Sequence, residues 1–117
     1  MERVLGDGGH FLPAADPAAL TAWYRDRLGL DADDDGLWRQ ETGPTVFAAF
    51  GSGTDHFGSR SQDTLLGFRV RDLDAVPDQL RAEGADVAGE TQDMAGVGRF
   101  GRVTDPEGTR VELWQPA

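Results

Sequence analysis

Apolar and polar positions alternate most regularly over residues 109–115, where Val111 and Leu113 fall on one face and Arg110, Glu112 and Trp114 on the other. That period predicts a strand. Immediately before it, Asp105-Pro106-Glu107-Gly108 has the residue order of a tight type I turn, with Pro where a φ of about −65° is wanted and Gly closing the loop. Residues 99–104 then supply the antiparallel partner. Earlier, Asp16 suits a helix N-cap and Pro17 the first helical position, while Ala19, Leu20, Trp23, Tyr24 and Leu28 make an apolar stripe that Gly29 ends. A strand over 9–15 precedes this helix. Three short ones, 30–32, 37–40 and 45–50, follow it, separated by Asp35-Gly36 and Gly43-Pro44.

The order strand, helix, strand, strand, strand is then repeated. Residues 65–70 form a strand, Asp72 or Asp74 starts a helix carrying Val76, Leu80 and Ala82, and Gly84 stops it. Pro77 falls in the first turn, where its missing donor costs little. Strands over 86–88, 99–104 and 109–115 complete the set. Asp16 and Asp72 lie 56 residues apart, and Leu12/Phe68, Ala14/Val70, Leu20/Val76, Tyr24/Leu80 and Arg25/Arg81 recur at that offset. An α+β chain of two βαβββ modules, 1–57 and 58–117, is the economical reading, joined by a Gly- and Ser-rich linker over 51–62.

Composition narrows the class. The chain has 117 residues, enough for one domain with a thin core, and a homodimer would help cover it. With no cysteine there is neither a disulfide framework nor a thiolate metal site. Residues 1–16 lack the pattern of a signal peptide and no apolar run is long enough to span a membrane, so a cytoplasmic protein is expected. The formal charge of −10, with arginine the sole basic residue type, disfavours nucleic acid and anionic membrane as partners. Asp31, Asp33, Asp34 and Asp35 read as a solvated turn, since they lack the spacing of a calcium loop.

DPAALTAWYRDRLGL in the first half and GRFGRVTDPEGTRVELWQP in the second resemble the paired signatures of the vicinal oxygen chelate superfamily, which includes glyoxalases, bleomycin-resistance proteins and extradiol dioxygenases. LLGFRVRDLDAVPDQLRAEG is similar to its central segment, and the whole pattern is closest to glyoxalase-like proteins. The resemblance implies that the two modules form a half-open mixed-sheet barrel whose cavity holds metal and substrate. It also implies metal positions on the first strand of each module, seven residues before the helix-start aspartate, and on each last strand. Those positions carry Gly9, Leu65, Ala48 or Ala49, and Glu112. Glu112 alone can act as a ligand, and a transition-metal site usually needs three or four donors. No cofactor is therefore expected, and a divalent metal would require a different set such as His10, His56 and Glu112. For that, the first strand must bulge and the linker must be ordered. Each histidine reads more simply as a surface or core residue.

Strand parity puts Phe11, Gly67, Arg69, Arg110, Glu112 and Trp114 on the face the family uses, with Trp38, Phe100 and Arg102 less firmly placed. Aromatics beside small residues suit a planar or aromatic organic ligand held by stacking. They equally suit barrel filling or a dimer interface. Two functions follow from different classes. One is a metal-independent binding protein of the sequestration or resistance type, with Glu112 as polar anchor. The other is a lyase, isomerase or dioxygenase in which Glu112 serves as base or as ligand of a non-standard divalent metal site. Phosphate loops, dinucleotide fingerprints and serine-nucleophile motifs are absent from the sequence.

Overall fold

The structure, a computed structural model, describes residues 1–59, 61–76, 80 and 86–117, leaving aside the side chains of 86–90. Helix α1 (Pro17–Leu28) is delimited by the residues that the sequence nominates. Asp16 accepts the Ala19 N–H at 3.1 Å, Pro17 occupies the first turn, and Gly29 takes the left-handed conformation at φ 70°. The strands are β1 (Leu66–Arg69), β2 (Asp86–Met94), β3 (Gly98–Thr104) and β4 (Arg110–Pro116), in the sheet order β1-β4-β3-β2. β1 runs parallel to β4, and the other two pairings are antiparallel. The architecture is thus α+β with an open mixed sheet, and β2 extends well beyond the expected 86–88.

The 105–108 turn sets the hairpin. Gly108 N–H donates to Asp105 O at 3.0 Å with φ 85°, and Asp105 N–H donates to Thr109 O at 2.9 Å. The register that results sets Val103 opposite Val111, Arg102 opposite Glu112, and Phe100 opposite Trp114. Val103, Val111 and Leu113 then face the core, where they meet Leu73, Leu80 and the α1 residues Leu20 and Tyr24. Asp105 is itself buried. Its Oδ2 accepts the Tyr24 hydroxyl at 2.8 Å, and its Oδ1 accepts the Glu107 and Thr109 N–H groups at 2.9 and 3.0 Å. Glu107 in turn accepts the Ala15 N–H at 2.8 Å, so one turn fastens the entrance and the middle of α1 to the sheet.

The first half departs from expectation. Residues 1–59 contain no strand, so the expected strands 9–15, 30–32, 37–40 and 45–50 do not form ladders. A strand is stable only when a neighbour pairs its backbone and a second layer covers its apolar face. Here α1 packs on the sheet of the second half instead, and several apolar side chains outside α1 stay open to solvent: Phe11 is 92% and Phe47 97% exposed. The turn at Asp35-Gly36 does form, closed by Asp33 N–H to Leu37 O at 2.9 Å and by the Asp33 carboxylate on the Asp35 and Leu37 N–H groups. Of the second expected helix, residues 75, 76 and 80 are helical, while 77–79 and 81–85, with Ala82 and Gly84, lie outside the described residues. Among the described residues no helix is long and apolar enough to cross a membrane.

Candidate functional site

The face of β3 and β4 turned away from α1 carries Phe100, Arg102, Arg110, Glu112 and Trp114, since their neighbours Val103, Val111 and Leu113 point to the core. Within segment 51–62, expected to be a linker, His56, Gly58 and Gln62 lie against β4. The Gln62 side chain accepts the Arg110 N–H at 2.9 Å and donates to Arg110 O at 2.7 Å, so it pairs with β4 as a strand residue would. Arg110 donates to His56 O at 3.2 Å, and its guanidinium lies against Gly58, whose φ of 90° favours glycine there.

These contacts deliver His56 to Glu112. Its Nε2 lies 3.0 Å from Glu112 Oε2, with the two side chains 24% and 17% exposed. A carboxylate only accepts, so the ring nitrogen is the donor. The imidazole also stacks on Phe50, with centroids 4.9 Å apart and planes 10° apart. Of the set His10, His56 and Glu112 that the sequence offered beside the simpler surface or core reading, His56 and Glu112 meet. The sequence did contain a signal: Phe50 and Phe57 stand on either side of His56 in the chain, and both aromatic rings contact it.

The other expected residues divide. Phe100 and Trp114 stack across the hairpin with centroids 6.0 Å and planes 5° apart. Trp114 is 8% exposed and its indole N–H donates to Val97 O at 3.0 Å, which leaves Phe100 as the half-exposed ring of the pair. Arg102 stands directly across from Glu112 and, among the described residues, has no hydrogen-bond or ion-pair partner. Phe11 is not brought to this face: it is almost fully exposed, with its ring close over Gly9. Trp38 lies against Phe68 on the α1 side, centroids 6.1 Å apart, because residues 37–40 do not join the sheet. Arg69, at the register of Trp114 on β1, donates to Glu41 O at 2.7 Å. Trp38 and Arg69 instead border a separate cavity of about 330 Å³ at the C-terminal end of α1, floored by Phe68, Val70 and Leu113. It holds no carboxylate–imidazole pair.

His10 also stays apart from Glu112, its ring 6.1 Å from Phe68. Among the described residues no group of three or more His, Cys, Asp or Glu side chains could hold a metal ion. Two donors, His56 and Glu112, fall short of the three or four that zinc, iron or nickel sites use, so this side-chain set does not fit the metal of the fold family.

A helix laid across one face of an open mixed sheet, with a carboxylate and aromatics on the other face, makes this a small α+β protein with a candidate ligand face. The chain belongs to the glyoxalase/bleomycin resistance protein/dioxygenase superfamily, whose family model matches residues 8–113. Among solved structures it is similar to TnmS3, an antibiotic binding protein from Streptomyces sp. CB03234, with 24% identity, 91% of each chain covered and a TM-score of 0.57. The genomically encoded fosfomycin resistance protein FosX from Listeria monocytogenes has 16% identity over 98% of this chain and 96% of its own, with a TM-score of 0.65. A glyoxalase/bleomycin resistance protein from the same Streptomyces strain has 23% identity over 89% and 95%, with a TM-score of 0.55. No curated protein matches the chain.

Proposed function

We propose that the protein binds a small planar or aromatic organic molecule on the uncovered face of β3 and β4, as a sequestration or resistance protein without a resident metal. One observation carries the reading: a partly shielded His56–Glu112 pair and a half-exposed Phe100 share a face that the core does not use. Phe100 offers a flat surface and the pair offers directional polar groups, the combination that orients a ring in a site. An antibiotic binding protein and a fosfomycin resistance protein on the same fold support binding of a small organic molecule without fixing its shape or identity. The chain is taken as one domain of two repeats, 1–57 and 58–117, forming a homodimer in the cytoplasm.

The test is a panel of planar aromatic fragments and their saturated-ring counterparts, followed through the amide NMR signals of Phe100, Arg102 and Glu112. Planar members should shift these signals and saturated ones should not. Glu112→Gln should keep the fold, because Val111 and Leu113 carry the core face of β4, and should weaken binding by about 1–3 kcal/mol through loss of a charge-assisted hydrogen bond. No shift with any fragment would refute the proposal. So would about one transition-metal ion per chain that disappears in Glu112→Gln.

The His56–Glu112 contact favours a second reading, a lyase or isomerase in which the pair moves a proton next to a carbonyl. Its mark would be solvent-deuterium incorporation into a carbonyl compound, abolished by Glu112→Gln.

A further inference from the structure

We infer that the uncovered face selects an aromatic carboxylate whose ring also bears a hydroxyl meta to the acid, a ligand class that rests on the binding reading above. The inference starts from Arg102. It is half-buried, lies on the same strand and face as Phe100, and stands opposite Glu112 without pairing to it or to any other described residue. The other arginines around the sheet are engaged. Arg110 reaches His56 O, Arg69 reaches Glu41 O, and Arg99 on the opposite face of β3 holds Asp74 and Asp93. A planar guanidinium with its donors unused is suited to bidentate recognition of a carboxylate.

Distances set the rest of the ligand. Residues two apart on a strand are separated by roughly 7 Å, so a ring lying on Phe100 can extend an acidic group toward Arg102. Directly opposed residues have Cβ atoms about 5 Å apart, which places Glu112 beside whatever Arg102 holds. Glu112 uses Oε2 for His56, and among the described residues Oε1 has no partner. That oxygen would repel a bare anion and accept from a hydroxyl. A hydroxyl meta to the acid projects to the side of the carboxylate that Arg102 holds, toward the opposed Glu112. It is also too far from the ligand's own carboxylate to bond internally.

The net charge of −10 does not oppose an anion here. Exposed charges farther than about 8 Å are screened at physiological ionic strength. The charged or titratable groups described on this face are Arg102, Arg110, Glu112 and His56, with Arg69 at the register of Trp114 and held to Glu41 O, and three of the five are guanidinium groups.

Three probes test the inference in the wild-type protein: 3-hydroxybenzoate, benzoate, which lacks the donor, and 3-hydroxybenzamide, which lacks the charge. Titration followed by amide NMR should rank 3-hydroxybenzoate at least about tenfold tighter than either of the others. Arg102→Gln should lower its affinity by about tenfold or more and change that of 3-hydroxybenzamide less than about twofold. Equal affinity of the three probes, or an unchanged 3-hydroxybenzoate affinity in Arg102→Gln, overturns the inference while leaving planar-ligand binding intact. Absence of shifts with all three and with the wider aromatic panel overturns the binding reading as well. If Arg102→Gln does not fold, the wild-type ranking decides.

Discussion

Tyr24→Phe is the most direct probe of how this fold is held. The ring of Tyr24 is 6% exposed and sits edge-on to Trp23, with centroids 4.9 Å apart and planes at 85°, and 5.9 Å from Phe68. Phenylalanine keeps that packing and opens no cavity. What it removes is the 2.8 Å hydrogen bond to Asp105 Oδ2, on a residue only 4% exposed. Hydrogen bonds to charged groups contribute about 1.5–3 kcal/mol, and a buried carboxylate oxygen left without a donor puts the loss in the same range. A decrease of about 2 kcal/mol is expected, read as a lower urea midpoint at unchanged m-value, with a melting temperature lower by roughly 6–12 °C. The phenol gives a second readout because it belongs to the sole tyrosine in the chain. Burial first, then the hydrogen bond and charge of Asp105, push its pKa far above the ordinary 10.0. With the folded pKa raised, the stability from the protonated phenol is complete below pH 10.0 and declines as pH rises above it. Tyrosinate absorption should therefore appear together with alkaline unfolding, and Tyr24→Phe should lose stability less steeply in that window. A variant within about 0.5 kcal/mol of wild type, or tyrosinate forming near pH 10.0 in folded protein, would refute the argument.

Other consequences can be measured independently. Gly98→Ala should cost about 2 kcal/mol or more, because Gly98 has φ 135° and an added Cβ would collide with Gln115 O and crowd the Trp114 indole; a variant as stable as wild type would contradict this. A chelator should leave the melting temperature unchanged, and metal analysis of protein purified without chelators should find no stoichiometric zinc, iron or nickel, because His56 and Glu112 alone do not complete such a site. Sedimentation at micromolar concentration should give a homodimer, since the first-half side chains Phe11 and Phe47 are uncovered in one chain and, among the described residues, β1 is an edge strand; a monomer alone would count against it.

Helix α1 and the 105–108 turn were legible because their signals are local. Asp16, Pro17 and Gly29 each satisfy or avoid a specific backbone requirement, and Asp105 and Gly108 do the same for the turn. Pairing in the first half was not legible. Short alternations such as 45–50 show which side chains share a face but name no partner strand, and the 56-residue matches say that the halves look alike, not that both are layered alike. The meeting of His56 with Glu112 was less legible for a related reason. Glycine and serine around it read as a flexible connection, yet Gln62 fastens that connection to Arg110 by a side-chain imitation of a ladder. Trp114 was placed on the right face with too much surface free, because alternation cannot foresee that Phe100 and Val97 cover it.

The register of the β3–β4 hairpin joins stability to recognition. Arg102 and Glu112 oppose each other because both count outward from the turn that Asp105 closes, and the same count sets Phe100 over Trp114 and Val103 against Val111. A slip of one residue would invert the strand, turning core residues outward and the arginine inward. Val103 and Val111 are both fully buried, so the core rejects that slip, while the Asp105 carboxylate holds the turn from which the count begins. Arrangement of the uncovered face is therefore decided on the covered one. Changes at Tyr24, which touches nothing on the uncovered face, should lower the population of folded chain without altering the ranking of ligands by the chains that remain folded.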